Sequence, residues 1–376
     1  MARRMVSGTD PNPRNPENTA LPREGPRTTL SPRETVVLFP TYGHFSDGDG
    51  TWRIPVSGAV FEPGVVTVRR RILLRLLRRV MNVPPEALES SIFRERIGAF
   101  IAAAERGRSI ALQSGSIAFP LRRKTRRDGR FSGVLRLAAG DLDRLVRHGQ
   151  IADGWLNFDV ALPDGDQRAF GGRAALLPAR GASVISDIDD TIKHSAVWSR
   201  RALLANTFLR EFEYVAGMAE RYQVWAAGGA AFHYVSSSPW QLYGPLADLQ
   251  RCAGFPEGSF HLRAFRLRDQ MLRGVPLLRR HGKLAAIRRV LRAFPERRFV
   301  LIGDSGERDP ELYGAVARRY PRQVASIHIR LVHGRPWSDE RGARAFRRID
   351  RDRWSVFEDA AELPDRLTAA GGSPLA

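Results

Sequence analysis

The sequence predicts an α/β protein: a parallel sheet covered by helices on both faces, preceded by a smaller β-rich, sandwich-like domain. Three observations carry that prediction. From about residue 180 onward, short apolar runs alternate with stretches of helical length, which is how a parallel sheet with crossover helices is written. Before that point, apolar runs alternate with Gly, Asp and Pro, the texture of antiparallel strands and tight turns. The length of 376 residues, at 43% hydrophobic content, supplies about two cores.

In order along the chain, residues 1–34 hold six prolines, many polar residues and no periodicity, the composition of a disordered arm. Residues 35–180 form the β-rich accessory domain. Its strands are expected in "ETVVLFPTYGHF", "TWRIPVSGAVF", "RSIALQSGSIAF", "GRFSGVLRLAA" and "GWLNFDVALPDG", with "RRDGRF" as a hairpin turn. One segment inside it is strongly amphipathic. "RRRILLRLLRRVMNV" predicts a helix with Ile72, Leu73, Leu76, Leu77 and Val80 on one face and Arg71, Arg75, Arg78 and Arg79 on the other. Two readings stand: a helix packed on the sheet with a solvated arginine face, or a surface that meets anionic lipid.

Residues 181–365 form the α/β domain, and 366–376 a flexible tail. Strands are predicted at "ASVIS", "AAFHYV", "SFHLRAF", "RFVLIG" and "VASIHIRLV". Between them lie one long helix over "RRALLANTFLREFEYVAGMAERYQVWA" and further helices at "PWQLYGPLADLQRC", "KLAAIRRVLRAF" and "DPELYGAVARRY".

The formal charge is +20, carried by 57 arginines and only three lysines, Lys124, Lys193 and Lys283. So basic a chain favours polyanionic surfaces, nucleic acid or anionic lipid. A single cysteine, Cys252, excludes an internal disulfide and a cysteine-based zinc site, in keeping with a reducing compartment. No signal-peptide pattern opens the chain, and no window approaches the ~18 apolar residues of a membrane span. The expectation is a soluble, cytoplasmic protein that touches a membrane peripherally if at all.

In open parallel sheets, ligands gather at the carboxyl ends of strands. Three predicted strands end in matching chemistry: Asp187 and Asp189 after "ASVIS", Ser236, Ser237 and Ser238 after "AAFHYV", and Asp304, Ser305 and Asp309 after "RFVLIG". Asp187 and Asp189 are two apart, so an extended strand end aims both carboxylates the same way, and like charges so placed call for a cation. With Asp304 they suggest an oxygen cage for Mg²⁺. By the same alternation Asp190 points away and takes a structural role; locally, Asp190 or Thr191 could also cap a following helix. Lys283, expected at the start of its helix, is a point charge suited to phosphoryl oxygens in a chain that otherwise writes arginine.

These motifs in this order resemble the haloacid dehalogenase (HAD) superfamily: "DIDDT" matches its first signature, "FHYVS" its second, Lys283 its third and "GDSGERD" its fourth. More narrowly, "VISDIDDTIKHS", "FHYVSSSPWQLY" and "LIGDSGERDPELY" are similar to the catalytic domain of the actin-patch phosphatidate phosphatase family, over about residues 180–335. The resemblance implies a HAD-like Rossmannoid sheet and a Mg²⁺-dependent phosphatase working through an aspartyl-phosphate. Asp187 is then the nucleophile and Asp189 the acid and later the base. Thr191 shapes the turn that receives substrate, Ser236 with Ser237 beside it binds phosphate, and Lys283 holds phosphate and nucleophile together. Mg²⁺ is implied at the Asp187 carboxylate, the Asp189 backbone carbonyl and Asp304, with Asp309 close by. The substrate implied is phosphatidate, cleaved to diacylglycerol.

From the residues themselves, the basic segment at 69–80 and the arginines of "HLRAFRLRDQMLRGVPLLRR" suit an anionic membrane surface, each basic residue there contributing on the order of 1 kcal/mol. The short span between the first and second motifs leaves room for only a minimal cap, and an open site suits a bulky phosphoester. Two other functions compete. A phosphatase acting on a phosphoprotein, nucleotide or metabolite would be separated by a substrate panel. A non-catalytic polyanion-binding protein would bind in a salt-sensitive way without turnover, but the chain lacks an aromatic stacking pattern or a nucleic-acid motif, which argues against nucleic acid as partner.

Overall fold

The computed structural model describes residues 25–64, 68–263, 277–332 and 337–367, with the side chains of 68–73, 76 and 277–281 outside the description. The expected arm at 1–24 and the tail from 368 lie outside the described residues. Residues 25–34, expected within that arm, are held on the sheet: the buried Thr28 donates to the Ala111 carbonyl, and Glu34 is ion-paired to Arg108.

Strands β1 (Thr35–Leu38), β2 (Thr41–Ser46), β3 (Thr51–Glu62), β4 (Ala103–Ala104), β5 (Ala111–Ser114), β6 (Ile117–Pro120), β7 (Arg130–Ala138), β8 (Ile151–Ala152), β9 (Trp155–Val160) and β10 (Gly171–Leu177) build the β-rich half. The sequence predicts a sandwich, whereas these strands join one hydrogen-bonded sheet, antiparallel except where β2 runs parallel to β10. The long β3 makes this possible. Its start pairs with β2 and its end with β1 along one edge, while β7 follows nearly its whole length along the other. Alternation along these strands sends Ile54, Val56, Leu135 and Leu137 into a core shared with Leu112, Leu156 and Phe158.

The second sheet is parallel throughout: β11 (Ala182–Ser186), β12 (Ala231–Pro239), β13 (Gly258–Arg263), β14 (Arg298–Asp304), β15 (Val324–Arg330) and β16 (Trp354–Phe357), in the spatial order β13-β12-β11-β14-β15-β16. Its inner strands are apolar on both faces, as a sheet buried on both sides requires. One face packs Val184, Val300 and Ile302 with Met218, Tyr222 and Trp225; the other packs Ile185 and Leu301 with Ile287, Leu291 and Val316. Phe39 and Tyr42 of the β-rich half enter these two cores, and Phe260 donates its amide to the Pro40 carbonyl. The two halves therefore share their interiors.

Nine α-helices appear among the described residues: α1 (Val68–Met81), α2 (Ser91–Ile101), α3 (Ala139–Arg147), α4 (Arg200–Phe208), α5 (Met218–Ala227), α6 (Tyr243–Cys252), α7 (Leu277–Ala293), α8 (Asp309–Arg319) and α9 (Asp339–Ala345). Where the sequence predicts one long helix after the first strand, the structure has α4 and α5 with an extended link between them. Gly217, at φ +74°, makes the break, and the link pairs with the chain after β11 through His194 N to Glu213 O and Val215 N to Ile192 O. Nor does Asp190 or Thr191 cap a helix; Ser199 does, accepting from Ala202 N.

The basic amphipathic segment is helical as its periodicity predicts. Leu77 and Met81 pack with Phe93, Ile97 and Phe208, so α1 rests on α2 and α4 and not on the sheet, with Arg75, Arg78 and Arg79 exposed. The side chains of Arg71, Ile72, Leu73 and Leu76 lie outside the described residues, as do most of the arginines between 261 and 280.

Candidate active site

The acidic motif emerges from the middle of the parallel sheet. β11 lies between β12 and β14; the chain steps from β11 to β12 and β13 on one side and then crosses to β14 on the other, so a crevice opens beyond the carboxyl ends of these three strands. Asp187 and Asp189 follow β11, Ser236 and Ser238 lie near the end of β12, and Asp304 closes β14.

Asp187 is buried, with its amide bonded to Ile302 O on β14 at 2.8 Å. Its Oδ1 meets Lys283 Nζ at 2.8 Å, and the same ammonium pairs with Asp309. Lys283 lies six residues into α7 and not at its start, which brings it from the helix onto the strand ends. Asp304 accepts at Oδ1 from the amides of Gly306 and Glu307, at 2.6 and 2.9 Å. Asp309 opens α8 and packs against Gly303; a side chain at 303 would overlap its carboxylate. Carboxylate oxygens of Asp187, Asp304 and Asp309 lie within 4.8 Å of one another.

Burial, then repulsion from Asp309 and Asp304, pushes the Asp187 carboxyl well above the usual carboxylate range against the pull of Lys283. Burial and Asp309 do the same to Asp304. Burial works against the charged Lys283, but Asp187 and Asp309 outweigh it and hold the ammonium well above its ordinary value. Three buried carboxylates thus lie together, with one lysine ion-paired to two of them.

Asp189 is surrounded differently. Oδ1 takes Ser195 Oγ at 2.7 Å and Lys193 Nζ at 3.1 Å; Oδ2 takes Ser236 Oγ at 2.9 Å and Ser238 Oγ at 2.5 Å. Burial raises its pKa, yet Lys193 and these hydroxyls outweigh burial and leave it below the usual range. A tight turn brings Lys193 there: Lys193 N bonds to Ile188 O, and Asp190, at φ +55°, donates its amide to Lys193 O. The Asp190 side chain points away, as alternation predicts, and accepts from the amides of Ser195, Ala196 and Val197 at 2.7–2.9 Å. Phe212, from the link between α4 and α5, lies under Lys193 Nζ at 4.6 Å and under the buried Arg96 guanidinium of α2 at 3.9 Å.

The structure therefore brings Asp187, Asp189, Lys283, Asp304, Asp309 and Ser236 to one crevice. Thr191 is fully buried beside them, its hydroxyl without a hydrogen-bond partner among the described residues. The serine that joins Ser236 at Asp189 is Ser238, because residues two apart on an extended strand share a side; the sequence reading named Ser236 and Ser237 as phosphate contacts. Sequence reasoning missed Lys193, Ser195 and Phe212 as site residues. Lys193 carried a signal, since it is one of three lysines in the chain and two of them are buried here.

Carboxylates, hydroxyls and lysines gathered at the switch point of a parallel sheet make this crevice the candidate site for a ligand. Residues 182–331 match the family model described as Phosphatidate phosphatase APP1, catalytic domain. Phosphatidate phosphatase APP1 of Saccharomyces cerevisiae is 34% identical over 154 residues, 40% of this chain and 26% of the relative. An uncharacterized protein of Schizosaccharomyces pombe is 31% identical over 170 residues, 44% of this chain and 27% of its own length. The chain thus matches about a quarter of the length of these curated relatives. A solved carbohydrate esterase, whose active site displays divergent catalytic and non-catalytic binding functions, overlays at a TM-score of 0.22 with 9% identity, over 80% of this chain and 88% of that one; so slight a likeness carries no argument.

Proposed function

We propose that this chain is a Mg²⁺-dependent phosphatase that hydrolyses phosphatidate to diacylglycerol through an aspartyl-phosphate on Asp187, on a HAD-like sheet. One observation carries the metal-centred part of the reading: Asp187 Oδ2 and Asp304 Oδ2 are both buried without a hydrogen-bond partner among the described residues, and the Asp309 carboxylate is within reach of both. Buried anionic oxygens left unpaired are costly, and a hard divalent cation satisfies several at once. Asp187, Asp304 and Asp309 would hold it. Bound there, the metal would offset negative charge on the phosphoryl group.

The chain's own residues account for the rest. Lys283 holds Asp187 Oδ1 and offsets charge on the phosphoryl oxygens, so that two anions can meet in line. Asp187 attacks phosphorus, the ester P–O bond breaks, and the leaving alkoxide takes a proton from Asp189. Asp189 then takes a proton from water as the water oxygen attacks the phosphorus of the acyl-phosphate, releasing inorganic phosphate and restoring Asp187. In the present arrangement Asp189 is ionised by its donors. Phosphoryl oxygens competing for the Ser236 and Ser238 hydroxyls would remove two of these, and a carboxyl so relieved takes up a proton more readily.

The substrate part of the reading rests on the family match and on the exposed arginines of α1. No helix among the described residues is long and apolar enough to cross a membrane, and Cys252 is free; we read the chain as acting from the cytoplasm on a membrane surface. The test is phosphate release from phosphatidate in mixed micelles with Mg²⁺, beside Asp187→Asn and a soluble phosphomonoester. Release that disappears with EDTA and in the mutant is the expected result. Turnover of the soluble ester alone would discard the lipid, and no turnover of either would discard the enzyme.

A further inference from the structure

A pocket of about 630 Å³ lies where the β-rich half meets the parallel sheet, and none of the active-site residues lines it. Its floor is the outer face of the β3–β7 pair. There Pro55 stands opposite Val134 and Ser57 opposite Ser132, on the side away from the core that takes Ile54 and Leu135. One wall is the end of β6 and the turn after it, from Ala118 to Arg123; the other is Phe260 and His261 of β13 with Arg289 of α7.

Two properties set this pocket apart from an ordinary arginine-rich surface. Arg122, Arg123, Arg136 and Arg289 line it and no carboxylate does. Among the described residues only Arg136 of these four has an ion-pair partner, Asp49 at 3.4 Å. His261 and Tyr42 beside Arg289 are neutral, and the other charged group that interacts with it, Arg130, is also a cation. Burial and then Arg289 hold the His261 pKa down to about 3, and burial pushes Tyr42 up to about 12. The buried Tyr42 hydroxyl has no hydrogen-bond partner among the described residues. An uncompensated cluster of guanidinium groups is a site for phosphate or carboxylate.

The second property is an apolar strip beside the arginines, made by Pro55, Pro120, Leu121, Val134 and Phe260. Val134 is 53% exposed, which a large aliphatic side chain on a strand is spared where something covers it. A cavity in the range of roughly 300–1,000 Å³, apolar over part of its wall with a few convergent polar groups, fits one small ligand.

We propose that this pocket binds a single-chain anionic amphiphile, its phosphate or carboxylate head on Arg122, Arg123 and Arg289 and its chain along the strip ending at Val134 and Phe260. The inference goes beyond the phosphatase reading, because it concerns a pocket that none of the reacting carboxylates lines and needs no turnover.

The experiment is titration calorimetry on the full chain carrying Asp187→Asn, with oleate, oleoyl lysophosphatidate, monoolein and inorganic phosphate, all below micellar concentrations. Oleate carries no phosphoester, so its binding stands or falls independently of the phosphatase reading. Saturable one-site binding of oleate or lysophosphatidate is expected, at least tenfold tighter than monoolein or phosphate. The anionic amphiphile that binds tighter names the head. The double variant Arg123→Gln/Arg289→Gln should weaken it at least tenfold, and Ser132→Trp, which fills the floor without removing charge, should do the same with an unchanged thermal midpoint. Monoolein or phosphate binding as tightly as the anionic amphiphiles overturns the proposal, as does unchanged affinity in both variants.

Discussion

Lys283 and Lys193 each meet a carboxylate from the end of the same strand, yet their surroundings differ in one decisive respect. Around Lys283, two of three clustered buried carboxylates pair with a single ammonium, and two oxygens of the cluster lack partners among the described residues. Around Lys193, one carboxylate is met by an ammonium and three hydroxyls. The first cluster has acceptor capacity to spare, as a place for a cation must. The second has its charge balanced and its geometry fixed, as a group that handles protons at one point must. The difference teaches that residue type alone does not set the work of an aspartate; the count of donors around it does.

Five substitutions would break or sharpen that contrast. Asp187→Asn should reduce phosphate release by at least ~10³-fold, because the proposed nucleophile is lost, while thermal stability stays level or rises as one of three mutually repelling carboxylates is removed. A large loss of stability instead would show that Asp187 is a structural group. Lys283→Met should cost about 3–5 kcal/mol in urea unfolding with EDTA present, since a buried ion pair loses one partner, and activity should fall with it. Added Mg²⁺ should restore part of that stability, and no restoration would count against a cation among the carboxylates.

Lys193→Met should have a smaller effect, about 10²-fold on kcat with little change in KM, because three hydroxyls still hold Asp189. Losses equal to those of Lys283→Met would erase the distinction between the two pairs. Smallest of all, Ser237→Ala should change kcat/KM by less than about twofold, whereas Ser238→Ala should lower it about tenfold, in line with a lost hydrogen bond to a charged group. The reverse order would favour Ser237 as the substrate contact.

Much of the crevice could be read from local spacing. A strand followed by Asp187 and Asp189 aims both carboxylates alike, and a second strand ending at Asp304 in a parallel sheet must open on the same side. The scarcity of lysine pointed to Lys283, and the same count, applied evenly, points to Lys193. What could not be read locally depended on residues far apart in the chain. The helix expected over 200–227 is interrupted because residues near 214 pair with the turn after β11. The expected sandwich became one sheet because β3 is long enough to serve strands along both of its edges.

By itself, then, the sequence determined the parallel sheet, the carboxylates at its strand ends and the amphipathic helix, since each follows from a period of two or of 3.6 residues and the side chains that period exposes. Only the tertiary structure decided that Ser238 and not Ser237 meets Asp189, that both Arg96 and Lys193 lie over the Phe212 ring, and that four arginines share an acid-free pocket between the two halves. Those outcomes depend on which distant surfaces pack together, and packing is selected by the summed burial of both cores, which no local window of sequence contains.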